Sequence, residues 1–463
     1  MVKELVSATS RIVQITFCAL MIFSLVACAA PKPTFQIDSN PSLRSSLEKV
    51  APYPEANFAV FSDPHLMDPN LGMSGKAFED YITADRKLIR ESPEILDAAV
   101  TSISDLNATF VLVPGDLTKD GELASHLLMT TYLARLKASG KKVYVVPGNH
   151  DIKNGRSYRY VGDLKERVPN ISAADFAKIY ADYGFNDALQ KDSDSLSYLV
   201  EPVPGLWLLA LDSCRYRDNV EDKEETVGGR FSAITFKWIE DRLAEAAKAN
   251  KAVIVMMHHG VVEHYPGQAK YYGEYLVDDY KEVGRMFAAY NVRMVFTGHY
   301  HAQDIAEATW PDAGNKFIFD VETGSLATYP CPYRIIKTGA DQSVAIRSER
   351  VISIKSHPQD FPEYARQYLI QGISGLAVKS LMGYGVDKAE ATKLSGDIAA
   401  AFAAHYAGDE HLPAGQVAIQ EQGLSPLAWV VVQMRKDLVQ GLWTDVPPGD
   451  NNVTLDMKTG GAK

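Results

Sequence analysis

Five short motifs hold six of the eleven histidines of this 463-residue chain, together with carboxylates and one amide side chain. In order they are Asp63-Pro64-His65, Gly115-Asp116, Gly148-Asn149-His150-Asp151, His258-His259 and Gly298-His299-Tyr300-His301. Singly, each has an ordinary structural explanation, such as a capping Asp or a core His. Together they offer carboxylate oxygens, imidazole nitrogens and an amide oxygen without a thiolate, the donors that hard-to-borderline divalent ions take. So many donors suit two ions rather than one, with a carboxylate able to bridge them. Two ions about 3.5–4 Å apart can activate a water and stabilise an in-line displacement at phosphorus. The chemistry these residues point to is phosphoester hydrolysis.

The elements that must position them are legible as well. The motifs follow apolar or β-branched runs at residues 57–62, 109–113, 142–146, 253–257 and 292–296, and residues 207–212 form a further such run. Runs of this length that stop at Gly, Pro or Asp read as buried strands. Segments 93–106, 122–138 and 235–249 have helical spacing and alternate with them, so an α/β sheet would carry the motifs at its strand ends, where such sheets place ligands. Residues 317–321 and 333–353 read as antiparallel strands completing this domain, and 173–183 as a helical piece within a polar excursion. From about residue 357 the pattern changes to helices over 364–382, 388–407 and 424–442, expected to be a smaller all-α domain. Residues 447–463 are expected to fray. A net charge of −11 and a pI near 5.5 argue against a nucleic-acid polymer as partner.

The beginning of the chain bears on compartment. Residues 12–26 are an apolar run of signal-peptide length, followed by Leu25-Val26-Ala27-Cys28, which looks like a bacterial lipobox. The expectation is a signal peptide over 1–27, lipidation at Cys28, a tether over 28–54, and an exported, extracytoplasmic protein held to a membrane by its lipid anchor. In the folded part, Cys214 and Cys331 belong to no CxxC pair; a disulfide and two buried thiols both remain open.

In this order, the five motifs resemble the full signature of the calcineurin-like metallophosphoesterase superfamily, over roughly residues 55–350 of a catalytic domain expected over 55–355. The resemblance implies a four-layer α/β/β/α sandwich with two mixed sheets, to which residues 356–446 add the helical domain. It implies two metal ions, Mn, Fe or Zn, with Asp63, His65 and His301 on one, Asn149, His258 and His299 on the other, and Asp116 bridging. A hydroxide between the ions would be the nucleophile, His150 would donate to the leaving oxygen, and Asp151 would orient His150. Lys119 stands where purple acid phosphatases carry a ligand tyrosine, which excludes that branch. The forms Gly115-Asp116-Leu117-Thr118 and Gly298-His299-Tyr300-His301 are most similar to class III cyclic nucleotide phosphodiesterases and related bacterial lipoproteins. The expected substrate is accordingly a small phosphodiester, a cyclic nucleotide first, with an aromatic rim of Tyr265, Tyr271, Tyr272, Tyr275 and Tyr300 to stack a base. A phosphomonoesterase or nucleotidase is the alternative enzyme, and a surface lipoprotein acting as a binding module is the alternative of another class. The oligomeric state is not legible.

Overall fold

The structure is a computed structural model that describes residues 34–311 and 314–463. The apolar leader and Cys28 lie outside the described residues. The strands are β1 (Ala56–Val60), β2 (Phe110–Val113), β3 (Lys142–Val145), β4 (Tyr158–Val161), β5 (Leu164–Arg167), β6 (Gln190–Lys191), β7 (Tyr198–Val203) and β8 (Leu206–Leu211). They continue with β9 (Ala252–Met257), β10 (Met294–Thr297), β11 (Asp304–Trp310), β12 (Lys316–Glu322), β13 (Pro332–Thr338), β14 (Ser343–Arg350) and β15 (Asn452–Asp456). One sheet runs β15-β14-β13-β1-β2-β3 and the other β11-β12-β10-β9-β8-β7-β6, while β4 and β5 form a separate hairpin. This is the mixed two-sheet sandwich with helices that the family resemblance implied.

Alternation along the strands sets the layers, because successive side chains leave a strand on opposite faces. In β9, Ile254 and Met256 join the core shared with β1, β2 and β3, whereas Val253, Val255 and Met257 pack with the helices Ala233–Ala249 and Tyr280–Ala289. Burial on both faces explains why these strands read as unbroken apolar runs. Within each sheet the central strands are parallel: β1 with β2, β2 with β3, β8 with β9, β9 with β10. Their C-terminal ends therefore gather at one edge, and the two sheets meet there; the amide of Gly298 donates to the carbonyl of His258, and that of His299 to the Asp63 carboxylate.

Three expectations need correction. The described part of the tether is folded: Phe35, Leu43 and Leu47 are buried against the helix Ala233–Ala249, because an apolar residue recurring at helical spacing over Pro41–Glu48 finds a groove there. The C-terminal segment does not fray. Residues Asn452–Asp456 pair antiparallel with β14, and Leu455 and Met457 are buried, so a short alternating run supplies the sheet's edge. Residues 317–321, expected to be antiparallel, pair parallel with β10 on one side and antiparallel with β11 on the other. Cys214 and Cys331 are both free thiols.

The helices Phe361–Gly383, Lys388–Ala407 and Pro426–Gly441 pack around Leu369, Leu394, Phe402 and Val432, and the same core includes Tyr265, Tyr300 and Ala302 from the sandwich. The helical part thus rests directly on the loop that carries His299 and His301. Among the described residues, no helix is long and apolar enough to cross a membrane.

Candidate metal centre

Asp63, His65, Asp116 and His301 come together in one buried group, and Asp116, His258 and His299 in another, so the Asp116 carboxylate belongs to both. Its Oδ2 lies 3.5 Å from His65 Nε2 and 3.5 Å from His258 Nε2. His301 Nε2 lies 3.5 Å from Asp63 Oδ1 and 3.1 Å from His65 Nε2. Asn149 reaches the second group through its Oδ1, 3.1 Å from His258 Nε2.

The local backbone is bent to achieve this. Asp63, His65, Asp116, His299 and His301 have φ of 50°, 40°, 49°, 77° and 75°, in the left-handed region that side chains other than Gly rarely adopt. Such residues persist where their surroundings hold them. Here the holders are backbone bonds between the loops, from His65 N to Asp116 O at 3.1 Å and from Asp63 N to Gly115 O at 3.2 Å, together with the bond from His150 N to Asp116 Oδ1 at 2.9 Å. Gly148 makes the approach possible, since a Cβ there would sit 2.1 Å from Asp116 Oδ1.

The residues fit divalent ions by the direction of their lone pairs. His258 donates Nδ1–H to the carbonyl of Pro114 at 2.8 Å, which aims Nε2 at the Asn149 and Asp116 oxygens, where an ion that displaces the Nε2 proton would meet its lone pair. Acceptors that face one another in a buried site call for a cation between them. His299 Nε2 is buried without a hydrogen-bond partner among the described residues. The field has the matching sign: burial alone would lower the pKa of His258, yet Asp116 and Asp63 raise it to about 9. His65 and His299 are held well below the usual imidazole range, chiefly by burial, which keeps their lone pairs available.

A match between residues 56–303 and the family model for calcineurin-like phosphoesterases accompanies this geometry. The chain belongs to the calcineurin-like phosphoesterase family. As a member it is a metal-dependent phosphoester hydrolase of a dimetal type. Similar solved structures include a dimetal phosphatase from Danio rerio, at 16% identity and TM-score 0.45 over 64% of this chain and 97% of that one. A purple acid phosphatase from yellow lupin seeds is 12% identical, with TM-score 0.40, over 67% of this chain and 53% of that one. A putative 5′-nucleotidase from Staphylococcus aureus is 14% identical, with TM-score 0.37, over 68% of this chain and 59% of that one. No curated protein matches the chain.

Around this calcineurin-like centre, His150 lies beside His65, ring centroids 4.9 Å apart. Its expected partner is corrected. Asp151 does not touch the His150 ring; its carboxylate accepts from the amides of Gly148, Leu117 and Thr118 and from the Thr118 hydroxyl, at 2.8 to 3.1 Å. Asp151 therefore ties the Gly115-Asp116 loop to the Asn149-His150 loop. The ring is held by Asp120, whose Oδ1 accepts from Nδ1 at 3.0 Å, while Glu225 Oε1 lies 3.3 Å from Nε2. Burial would lower the pKa of His150, but Glu225, Asp116 and Asp120 outweigh it and raise it. Asp120 and Glu225 escaped the sequence reading. The run Lys119-Asp120-Gly121-Glu122, all buried inside a strand-end loop, was a signal for the first; Lys119 pairs there with Asp120 and with Glu122. Nothing local marks Glu225, which the segment 215–229 delivers from afar.

His259 is accounted for structurally, with Nδ1 at 2.8 Å from Ser213 Oγ and Nε2 at 2.9 Å from the Val227 carbonyl. Of the expected aromatic rim, Tyr271, Tyr272, Tyr275 and Tyr300 line a cavity of about 450 Å³. Tyr265 does not; it is buried behind, with its hydroxyl 2.9 Å from that of Tyr300. The opposite wall comes from the helical part, including Phe402 and Tyr406, and Arg86 donates from Nε to the Tyr406 hydroxyl at 3.1 Å. The cavity adjoins the centre, because the Tyr275 ring lies 4.5 Å from that of His299.

Proposed function

We propose that the chain hydrolyses a small phosphodiester carrying a planar group, with a cyclic nucleotide as the best fit. The observation that carries this reading is the tyrosine-walled cavity beside His299, whose rings can stack a base at about 1–3 kcal/mol each. The Arg86 guanidinium on the same wall offers hydrogen bonds to a planar or anionic group. The Glu225 carboxylate facing His150, though also paired with Arg156, is less favourable to a phosphomonoester dianion than to a diester monoanion, which supports the diester.

Asp63, His65 and His301 would hold one ion, Asn149, His258 and His299 the other, and Asp116 both. Two such ions, when bound, supply an activated water and positive charge for the phosphoryl oxygens. His150 holds a proton at Nε2 for the leaving oxygen, and Asp120 fixes the ring through Nδ1. Tyr272, Tyr275 and Tyr300 orient the organic group, and the helical residues 356–446 close the cavity as a cap. The lipobox-like Leu25-Val26-Ala27-Cys28 supports export and anchoring through a lipid on Cys28, outside the cytoplasm. The test is a panel of bis-p-nitrophenyl phosphate, 3′,5′-cyclic nucleotides and nucleoside monophosphates on Mn-loaded protein. Diesters are expected to exceed monoesters in kcat/KM by about tenfold or more; the reverse order would establish a nucleotidase or phosphatase instead.

A further inference from the structure

A second set of buried ligand-type side chains lies where the helical part meets the sandwich. Asp304 opens β11, His405 sits in the last turn of the helix Lys388–Ala407, and Glu410 follows that helix. All three are buried, and one ligand atom of each lies within 4.8 Å of the others. His405 Nδ1 is 2.6 Å from Glu410 Oε1 and 3.7 Å from Asp304 Oδ2. On the far side, Asp304 Oδ1 accepts from His264 Nδ1 at 2.7 Å.

What this network leaves over points to a ligand. Asp304 Oδ2, Glu410 Oε2 and His405 Nε2 are buried without a hydrogen-bond partner among the described residues. A second acidic triad, Asp409, Asp445 and Asp450, adjoins the first, since the Asp445 carboxyl feels both Glu410 and Asp304. Asn451, 8% exposed, donates its amide N–H to Asp409 Oδ2 at 2.8 Å, while its Oδ1 is another unpartnered buried acceptor. Arg334 is a fully buried cation here, but its guanidinium donates to the carbonyl oxygens of Asp304, Glu322 and Asp450 and to the Ser348 hydroxyl rather than to carboxylates. Carboxylate oxygens removed from water without donors are costly, and a bound cation relieves that cost.

We propose that this junction binds one divalent cation, with Asp304, His405 and Glu410 as ligands and the Asp409, Asp445 and Asp450 carboxylates adding negative charge around it. Two carboxylates, one imidazole and no thiolate suit an ion of the manganese or zinc kind. Binding would displace the proton shared by His405 and Glu410, which leaves to solvent. Its place in the fold gives it a fastening role: it joins the helical part, through His405 and Glu410, to β11, three residues beyond His301. His405 also precedes Tyr406, which walls the cavity, so the ion would steady that wall.

The test is metal content of the full chain, stripped with chelator, reloaded with Mn²⁺ and desalted. Wild type should hold about three ions, two at the dinuclear centre and one here. Glu410→Gln should hold one fewer, whereas Asp116→Ala should still hold one. Equal content in wild type and Glu410→Gln, or none in Asp116→Ala, would overturn the proposal. A second readout covers poor folding of a single variant: Mn²⁺ should raise the thermal midpoint of Asp116→Ala, and should not raise that of the double variant with Asp304→Asn. A midpoint that responds equally in both would also overturn it. Failure of the dinuclear assignment is distinguishable, because it would appear as Asp116→Ala retaining the wild-type content.

Discussion

Two clusters of histidine and carboxylate lie on either side of residues 301–304, and they are built in opposite ways. The centre at the strand ends uses Asp63, His65, Asp116, His299 and His301 in left-handed backbone, a conformation costing about 1–3 kcal/mol per residue. The junction cluster places its proposed ligands Asp304 at the start of a strand and His405 in a helix without such strain, and only the outlying Asp409, at φ 57°, shares the left-handed backbone. The first is shaped by tight loops within the sandwich, each pinned to the next by hydrogen bonds. The second exists only because the helical part docks on β11. The difference teaches where chemistry and fastening separate: strain is retained where ligand directions must be fixed in advance, and ordinary backbone suffices where two bodies are joined.

The largest break in this comparison comes from Asp116→Ala, which removes the carboxylate shared by both halves of the centre. Turnover should fall to background, and elemental analysis should show loss of the paired ions; full activity would sink the bridging assignment. His150→Ala should slow turnover by about 10²- to 10⁴-fold with the paired ions retained, measured as kcat against metal content. A contrast of two carboxylates sharpens the picture next. Asp120→Asn should lower kcat by about 10- to 100-fold through loss of ring orientation, and should also lower the unfolding midpoint, because the buried Lys119 loses one of its two carboxylate partners. Asp151→Asn should leave the His150 ring in place and cost about 1–3 kcal/mol of stability, because it sets an amide nitrogen against backbone donors; kcat per folded enzyme, measured beside denaturant titration, separates the two. The smallest effect is expected from Glu225→Gln, which removes a repelling charge but also the carboxylate that most favours the His150 proton, so kcat/KM for anionic substrates should change by less than about tenfold. A fall would make Glu225 a contributor rather than an obstacle.

Much of the centre was legible because its parts are local. Each motif follows its own strand, and parallel strands order their C-terminal ends without further information, so Asp63, Asp116, Asn149, His258 and His299 gather as their positions implied. Asp151 departs from expectation because its neighbour in sequence is not its partner in space. The turn at Gly148 directs its carboxylate back to the amides of Leu117 and Thr118, leaving Asp120, thirty residues earlier, to reach the His150 ring. The folded segments at both ends were missed for a related reason. Phe35, Leu43 and Leu455 are too few and too scattered to declare an element, and become core only when a groove or an open sheet edge receives them.

The sequence by itself determined the donor types, their order, the strands that carry them and the helical character of residues 361–441, since composition and periodicity act over a few residues. Only the tertiary structure decided that Glu225 meets His150, that the helical part walls a cavity beside His299, and that His405 and Glu410 reach Asp304. Those contacts join residues that a one-dimensional pattern cannot relate, because docking depends on the shape and burial of whole faces rather than on any local preference.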